Sequence, residues 1–147
     1  MERTKYIVFE DSAIDKFEAI DKCAEKLQEK GITDLGFAKF CKEREQTYPT
    51  GLPTIIPIAI PHAKYDNIKC NCICVMKLNN PVEFYRMDDS EEIINVKMIF
   101  NLAIKDPDKH LKILQKMMSV LTEEEVINQM IEMDNNELID FLEKEIG

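Results

Sequence analysis

The sequence is poor in glycine and histidine and has no long hydrophobic run. Its four glycines form neither a GxGxxG nor a GxxxxGK motif, which excludes the usual loops of dinucleotide-binding and P-loop proteins. The purest apolar stretch, 55–60, covers six residues and contains a proline, so it is too short to cross a membrane. The opening MERTKYIVFE lacks the basic, apolar and small-residue order of a secretory signal. We therefore expect a cytoplasmic protein.

Basic residues are also scarce. The 147-residue chain has 19 Lys and Arg against 28 Asp and Glu, which gives a formal net charge of −9. Nucleic acid is therefore not an expected partner, because its phosphates require a basic protein surface. Only three arginines occur, Arg3, Arg44 and Arg86, so an arginine beside a site would be informative.

The five cysteines predict neither cross-links nor a metal site. An odd number without a secretory signal argues against a disulfide framework. Cys70, Cys72 and Cys74 alternate, so on a strand they would share one face and pack there as small apolar residues. No second cluster with matching histidines accompanies them, so we expect no zinc and no other cofactor.

The chain is predicted to form a single domain, 1–147, because it contains no repeats or linkers. β-Branched or alternating stretches predict strands, at 5–10, 56–60, 67–78 and 93–104. Apolar residues at helical spacing predict helices, at 12–31, 34–46, 106–121, 122–133 and 134–146. We expect a Pro/Gly loop at 47–54 and a turn at 79–81. This order predicts an α/β fold with a mixed β-sheet sandwiched between helices.

Several helix ends carry capping residues. Asp11 or Ser12 is expected to cap the first helix. Capping boxes are predicted for the last two helices, beginning at Thr122 and at Asp134, because a glutamate follows each three residues later. Pro107 suits the first turn of the helix that precedes them.

The two histidines both lie where a predicted strand gives way to the next element. His62 follows the strand IPIAI, and His110 lies early in the helix after the strand MIFNLAI. Arg44 precedes the Pro/Gly loop that leads into the strand before His62. Because strand ends and neighbouring helix starts meet at one rim of an α/β sheet, these three side chains can converge.

A site of two imidazoles and one guanidinium suits phosphoryl transfer. A neutral imidazole is a nucleophile near neutral pH, and a guanidinium with a second imidazole can stabilise the phosphoryl oxygens without a metal. The alternatives are a structural or surface histidine at 62, a solvated histidine at 110 and an exposed helix arginine at 44. A zinc enzyme would need three ligands, and a serine hydrolase of the common kind would carry G-x-S-x-G.

Three segments resemble one known family. KEREQTYPTGL, IAIPHA and LAIKDPDKHLKIL are similar to the fructose/mannitol-type (type 2) enzyme IIA domain of the bacterial phosphoenolpyruvate-dependent sugar phosphotransferase system. The resemblance runs from about Tyr6 to Phe141, and YPTGL, LAIKDP and LQKMM are most similar to the galactitol-specific branch. It implies the same fold, a mixed sheet between helices.

The resemblance also implies roles for the three residues. His62 would accept a phosphoryl group from the phosphocarrier protein HPr and pass it to a cysteine of enzyme IIB. His110 and Arg44 would stabilise the transferring group, and the membrane component IIC would choose the sugar, a polyol such as galactitol. The alternative is a regulatory module that reports phosphorylation by binding a target protein. The chain departs from many members by having Pro57 before IAIPH and Ala63 after it.

Overall fold

Five strands form one mixed sheet in the computed structural model, which describes residues 3–147. The strands are β1 (Lys5–Asp11), β2 (Gly51–Leu52), β3 (Ile58–Ala59), β4 (Cys72–Tyr85) and β5 (Ile93–Ala103). The helices of this part of the chain are α1 (Lys16–Glu29), α2 (Gly36–Thr47), α3 (Pro107–Leu121), α4 (Glu124–Glu132) and α5 (Asn135–Glu145). The strand order is β1-β4-β5-β3-β2. β1 pairs parallel to β4 and β3 parallel to β5, whereas β4–β5 and β2–β3 are antiparallel.

Each face of the sheet packs against its own helical layer. On one face Cys72 and Cys74 lie in a core with buried residues of α1 and α2, and both are free thiols. On the other face Ile73 and Val75 pack with buried residues of α3, α4 and α5. Successive side chains of a strand point to opposite faces, which explains this division. The predicted α/β sandwich is confirmed, as is the packing of these two cysteines.

The start of α1 differs from the prediction. Its N-cap is Asp15, whose side chain accepts a hydrogen bond from the backbone N–H of Glu18. Asp11 and Ser12 are therefore not the cap, because β1 continues through Asp11 and the chain must turn before the helix can begin. A cap residue is recognised by its side-chain oxygen on an N–H of the first turn, and Asp15 fulfils that condition.

One of the two predicted capping boxes forms. Asp134 and Glu137 bond reciprocally at the start of α5, as predicted. The box predicted at Thr122 does not form, since α4 begins after Glu123 without a side-chain cap. The Thr122 hydroxyl donates instead to the carbonyl of Met118 one turn back, at the end of α3.

Two strand predictions were wrong in extent. The turn expected at 79–81 lies inside β4, which pairs with β5 on both sides of a register shift between Lys77 and Val82. The strand expected at 56–60 shrinks to Ile58–Ala59. Prolines flank it at 57 and 61, and a proline has no N–H to donate to a sheet ladder.

Gly51 lies where no side chain fits. A Cβ added there would be 2.5 Å from the backbone oxygen of Tyr85 and 3.0 Å from Cδ1 of Ile94. We expect Gly51→Ala to lower the free energy of unfolding by about 1–3 kcal/mol, because overpacking forces backbone shifts. Urea unfolding of both proteins checks this, and coincident unfolding curves would contradict it.

Candidate active site

The sheet topology brings the two histidines together. β3 and β5 are parallel neighbours, so the segments after their carboxyl ends share one edge. His62 follows β3 and forms an isolated bridge with Leu102 of β5. His110 lies in the first turn of α3, which Asp106 caps just after β5. The ring centroids are 4.8 Å apart, with an interplanar angle of 60°.

The backbone fixes the tautomer of His62. Its Nδ1 is 2.8 Å from the carbonyl oxygen of Ile60. A carbonyl oxygen can only accept, so Nδ1 carries the hydrogen and donates it. In a neutral imidazole the other nitrogen, Nε2, then holds the lone pair. His62 therefore presents Nε2 as its nucleophilic atom.

Both imidazoles are neutral at neutral pH. Burial lowers the pKa of His62, the hydrogen bond to Ile60 opposes this, and the charge of Arg44 lowers the pKa further. The pKa of His110 falls to about 4, chiefly through burial, with smaller contributions from His62, Arg44 and Lys64. A neutral His62 keeps its Nε2 lone pair free to attack, because protonation would occupy it.

Arg44 opens onto the same cavity as His62. It lies in the last turn of α2, and its guanidinium carbon is 5.1 Å from the ring centroid of Tyr48. The cavity has a volume of about 520 Å³, and Arg44, Tyr48, Thr50 and His62 all line it. The structure thus brings together all three residues singled out in the sequence. A guanidinium there can offer a fork of N–H donors to an anion.

The sequence matches one protein family over nearly its whole length. Residues 2–145 match the family described as phosphoenolpyruvate-dependent sugar phosphotransferase system, EIIA 2. The chain belongs to this family. It is therefore a phosphotransferase component, a phosphoryl carrier of a sugar phosphotransferase system. The predicted family membership is confirmed.

Named relatives and solved structures agree with this membership. The galactitol-specific EIIA component of Escherichia coli (strain K12) is 24% identical over 134 residues, which cover 90% of this chain and 89% of that protein. A complex of enzyme IIAMTL and phosphorylated enzyme IIBMTL from Escherichia coli matches with a TM-score of 0.75 at 21% identity, over 92% of each chain. Nitrogen regulatory protein IIA-Ntr from Neisseria meningitidis matches with a TM-score of 0.76 at 18% identity, over 96% of this chain and 92% of that one. The two structures show the shared fold.

Two polar residues beside the site of this EIIA chain were missed in the sequence. Glu45 is only 2% exposed, and its carboxylate accepts hydrogen bonds from the N–H and the hydroxyl of Thr50. Burial raises the pKa of Glu45, and the bonds from Thr50 oppose this. Asn101 is fully buried and donates from Nδ2 to the carbonyl of Pro61, next to His62. Asn101 could have been noticed in the sequence, because an asparagine inside the apolar strand MIFNLAI is unusual. Nothing in the sequence distinguishes Glu45 within CKEREQ.

Residues 3–147 contain neither a cluster of metal-binding side chains nor a helix suited to cross a membrane. No three His, Cys, Asp or Glu side chains within that span lie close enough to hold a metal ion. Over the same described residues, no helix combines the length and the apolar character needed to cross a membrane.

We expect the free energy of unfolding to fall as the pH is lowered from about 6.5 towards 4, in part because of His110. The unfolded imidazole has its ordinary pKa of 6.5, whereas folded His110 stays neutral down to about 4. Between these values the unfolded chain binds the extra proton, so protonation favours unfolding. Urea unfolding of the wild type and His110→Gln across this interval checks the sign. The variant should lose stability less steeply, and equal slopes would contradict the prediction.

Proposed function

We propose that the chain carries a phosphoryl group on Nε2 of His62, between the phosphocarrier protein HPr and a cysteine of a IIB protein. The observation that supports this most directly is the hydrogen bond of Nδ1 to the Ile60 carbonyl, 2.8 Å long. It leaves Nε2 unprotonated in a buried, neutral imidazole at the end of β3. Family membership supplies the class of reaction.

The transfer balances without any further reactant. The Nε2 lone pair of His62 forms the N–P bond as the bond from phosphorus to the donor atom of HPr breaks, and that atom keeps the electron pair. His62 retains its Nδ1 hydrogen, so the bond to Ile60 can persist and disperse the positive charge on the ring. In the second step a cysteine thiolate forms the S–P bond, and the electron pair of the N–P bond returns to Nε2.

Arg44 and His110 are proposed to stabilise the phosphoryl group during its transfer. Charge spreads over the three phosphoryl oxygens in the transition state, and preorganised donors around them lower its energy. Arg44 lines the cavity beside His62 and can donate to two oxygens at once. The Nε2 of His110 is buried and lacks a hydrogen-bond partner within residues 3–147, which leaves it available for the incoming group.

The surface around the cavity suits a succession of partners. Tyr48 and Met87 line the cavity and are exposed, and so is Leu111, which follows His110 in α3. Exposed apolar side chains around a reactive centre favour a modest, transient interface, as two partners that dock in turn require. The complex of enzyme IIAMTL and phosphorylated enzyme IIBMTL supports a IIB protein as one of these partners.

The sugar is proposed to be galactitol or a related polyol. The support is the galactitol-specific EIIA component, at 24% identity. Within such a system a membrane component IIC selects the sugar, and this chain would act on the cytoplasmic side as one domain.

A regulatory role is the second candidate. It is favoured by the fold shared with nitrogen regulatory protein IIA-Ntr. In that case phosphorylated and unphosphorylated His62 would be distinguished by a target protein, and no cysteine would receive the phosphoryl group.

The test is a reconstituted transfer. The purified chain is incubated with phosphoenolpyruvate, enzyme I and HPr, and intact mass reports the addition of one phosphoryl group. The modification should be acid-labile and base-stable, as a phosphohistidine is. Added IIB proteins should discharge the label if the chain serves transport. A chain that stays unlabelled with active HPr would refute the proposal, and a labelled chain that no IIB discharges would favour regulation.

A further inference from the structure

We infer that Glu45 is a positioning residue for His62, acting through Thr50 and Ile60. It would fix the Nδ1–H tautomer of His62 and the direction of Nε2 without touching the phosphoryl group. This inference rests on the proposed role of His62 as the phosphoryl acceptor.

The first part of the connection is the Glu45 carboxylate, both oxygens of which accept hydrogen bonds from Thr50. One oxygen of Glu45 accepts from the backbone N–H of Thr50 and the other from its hydroxyl, each at 2.7 Å. Both oxygens accept, which is the pattern of an ionised carboxylate. Because the Thr50 hydroxyl hydrogen points to Glu45, the lone pairs of that hydroxyl oxygen are left for another donor.

The second part runs from Thr50 to the imidazole. The N–H of Ile60 lies 3.2 Å from the Thr50 hydroxyl oxygen and 3.3 Å from the Thr50 carbonyl oxygen. The carbonyl of the same residue, Ile60, receives the His62 Nδ1–H at 2.8 Å. Pro61 stands between them with its fixed φ, so the carbonyl direction depends on how Ile60 is held. Holding Ile60 therefore holds the ring.

Stability alone does not favour a carboxylate at this position. Glu45 lies in the last turn of α2, where the helix dipole disfavours negative charge, and burial raises its pKa. A buried charge is costly unless its bonds are well made, and an uncharged residue of similar volume often serves stability as well. Within residues 3–147 the hydrogen bonds that compensate this cost go to Thr50, the residue that anchors Ile60 beside the nucleophile, and the charges of Lys16 and Arg44 also favour the ionised carboxylate.

The test compares Glu45→Gln with the wild type by two readouts. A glutamine has one acceptor oxygen where the carboxylate has two, so either the N–H or the hydroxyl of Thr50 loses its acceptor. Long-range ¹H–¹⁵N NMR of the His62 ring should show one Nδ1–H tautomer in the wild type and a mixture in the variant. The initial rate of phosphoryl acceptance should fall by about 10–100-fold, by analogy with the loss seen when the hydrogen-bond partner that orients a metal-bound histidine is removed.

Two further comparisons separate positioning from general damage. Thr50→Val removes the hydroxyl at nearly constant volume and should reproduce both changes, whereas Thr50→Ser keeps the hydroxyl and should restore both. Glu25→Gln removes the same charge from the exposed face of α1 and should change neither readout. If Glu45→Gln does not fold, the two Thr50 variants carry the test.

The inference is overturned if Glu45→Gln and Thr50→Val keep a single Nδ1–H tautomer. A loss of rate without a change of tautomer would overturn it as well, since the role of Glu45 would then be structural only. The NMR readout needs no phosphoryl donor. A wild-type chain that accepts no phosphoryl group would therefore refute the proposed function, while the tautomer would still decide whether Glu45 positions His62.

Discussion

His62→Gln should abolish phosphoryl acceptance while leaving the chain folded. A glutamine amide nitrogen has no basic lone pair, so the variant lacks the Nε2 lone pair that we propose attacks phosphorus. With phosphoenolpyruvate, enzyme I and HPr, the intact mass of the variant should stay unmodified under conditions that fully label the wild type. Circular dichroism and urea unfolding should show that the fold persists, because His62 contributes one side-chain hydrogen bond, to the Ile60 carbonyl.

The matched control is the same substitution on the neighbouring ring. His110→Gln alters the imidazole whose centroid lies 4.8 Å from that of His62. It should still become labelled, at a lower rate, because a glutamine amide does not place its N–H where the imidazole N–H lies, whereas the acceptor atom on His62 stays in place. Label on His62→Gln at the wild-type rate would show that another residue accepts the group. Loss of label in His110→Gln with retention in His62→Gln would reverse the two assignments.

The meeting of the two histidines could be predicted because it depends on chain topology. Each follows a strand, and the strands concerned, β3 and β5, are parallel neighbours, so their carboxyl ends lie at one edge. The short length of β3 did not alter this outcome. The order and direction of the strands in the sheet determine which elements reach this edge, and the identity of individual side chains does not.

The parts that could not be predicted depend on tertiary partners. Residues 79–81 have the local composition of a turn, yet pairing with β5 before and after them keeps them within β4. The burial of Glu45 is of the same kind. Within CKEREQ it cannot be distinguished from solvated glutamates, and only the loop that returns Thr50 to its carboxylate makes it a buried residue. The spacing of apolar residues along a helix does not indicate a contact of this kind.

Arg44→Ala should slow phosphoryl acceptance by about 10²–10³-fold, the loss typical of removing one preorganised donor from a charged transition state. Arg44→Lys should recover only part of this rate. A lysine restores the charge at one point, whereas the guanidinium offers a planar fork that matches two phosphoryl oxygens. Lys39→Ala, which removes an exposed cation from the same helix α2, should leave the rate unchanged. Initial rates from quenched mass spectrometry give the comparison.

A second readout tells how Arg44 acts. The charge of Arg44 lowers the pKa of both His62 and His110, so both rings should titrate at higher pH in Arg44→Ala. Burial lowers the pKa of His62 more than Arg44 does, so the pKa of His62 should rise only in part. NMR titration of the two rings measures this without any phosphoryl donor. If both pKa values rise but the rate does not fall, Arg44 tunes the imidazoles and does not bind the phosphoryl group. If the rate falls in Arg44→Ala and is only partly recovered in Arg44→Lys, whose charge keeps both pKa values low, the fork itself holds the group during transfer.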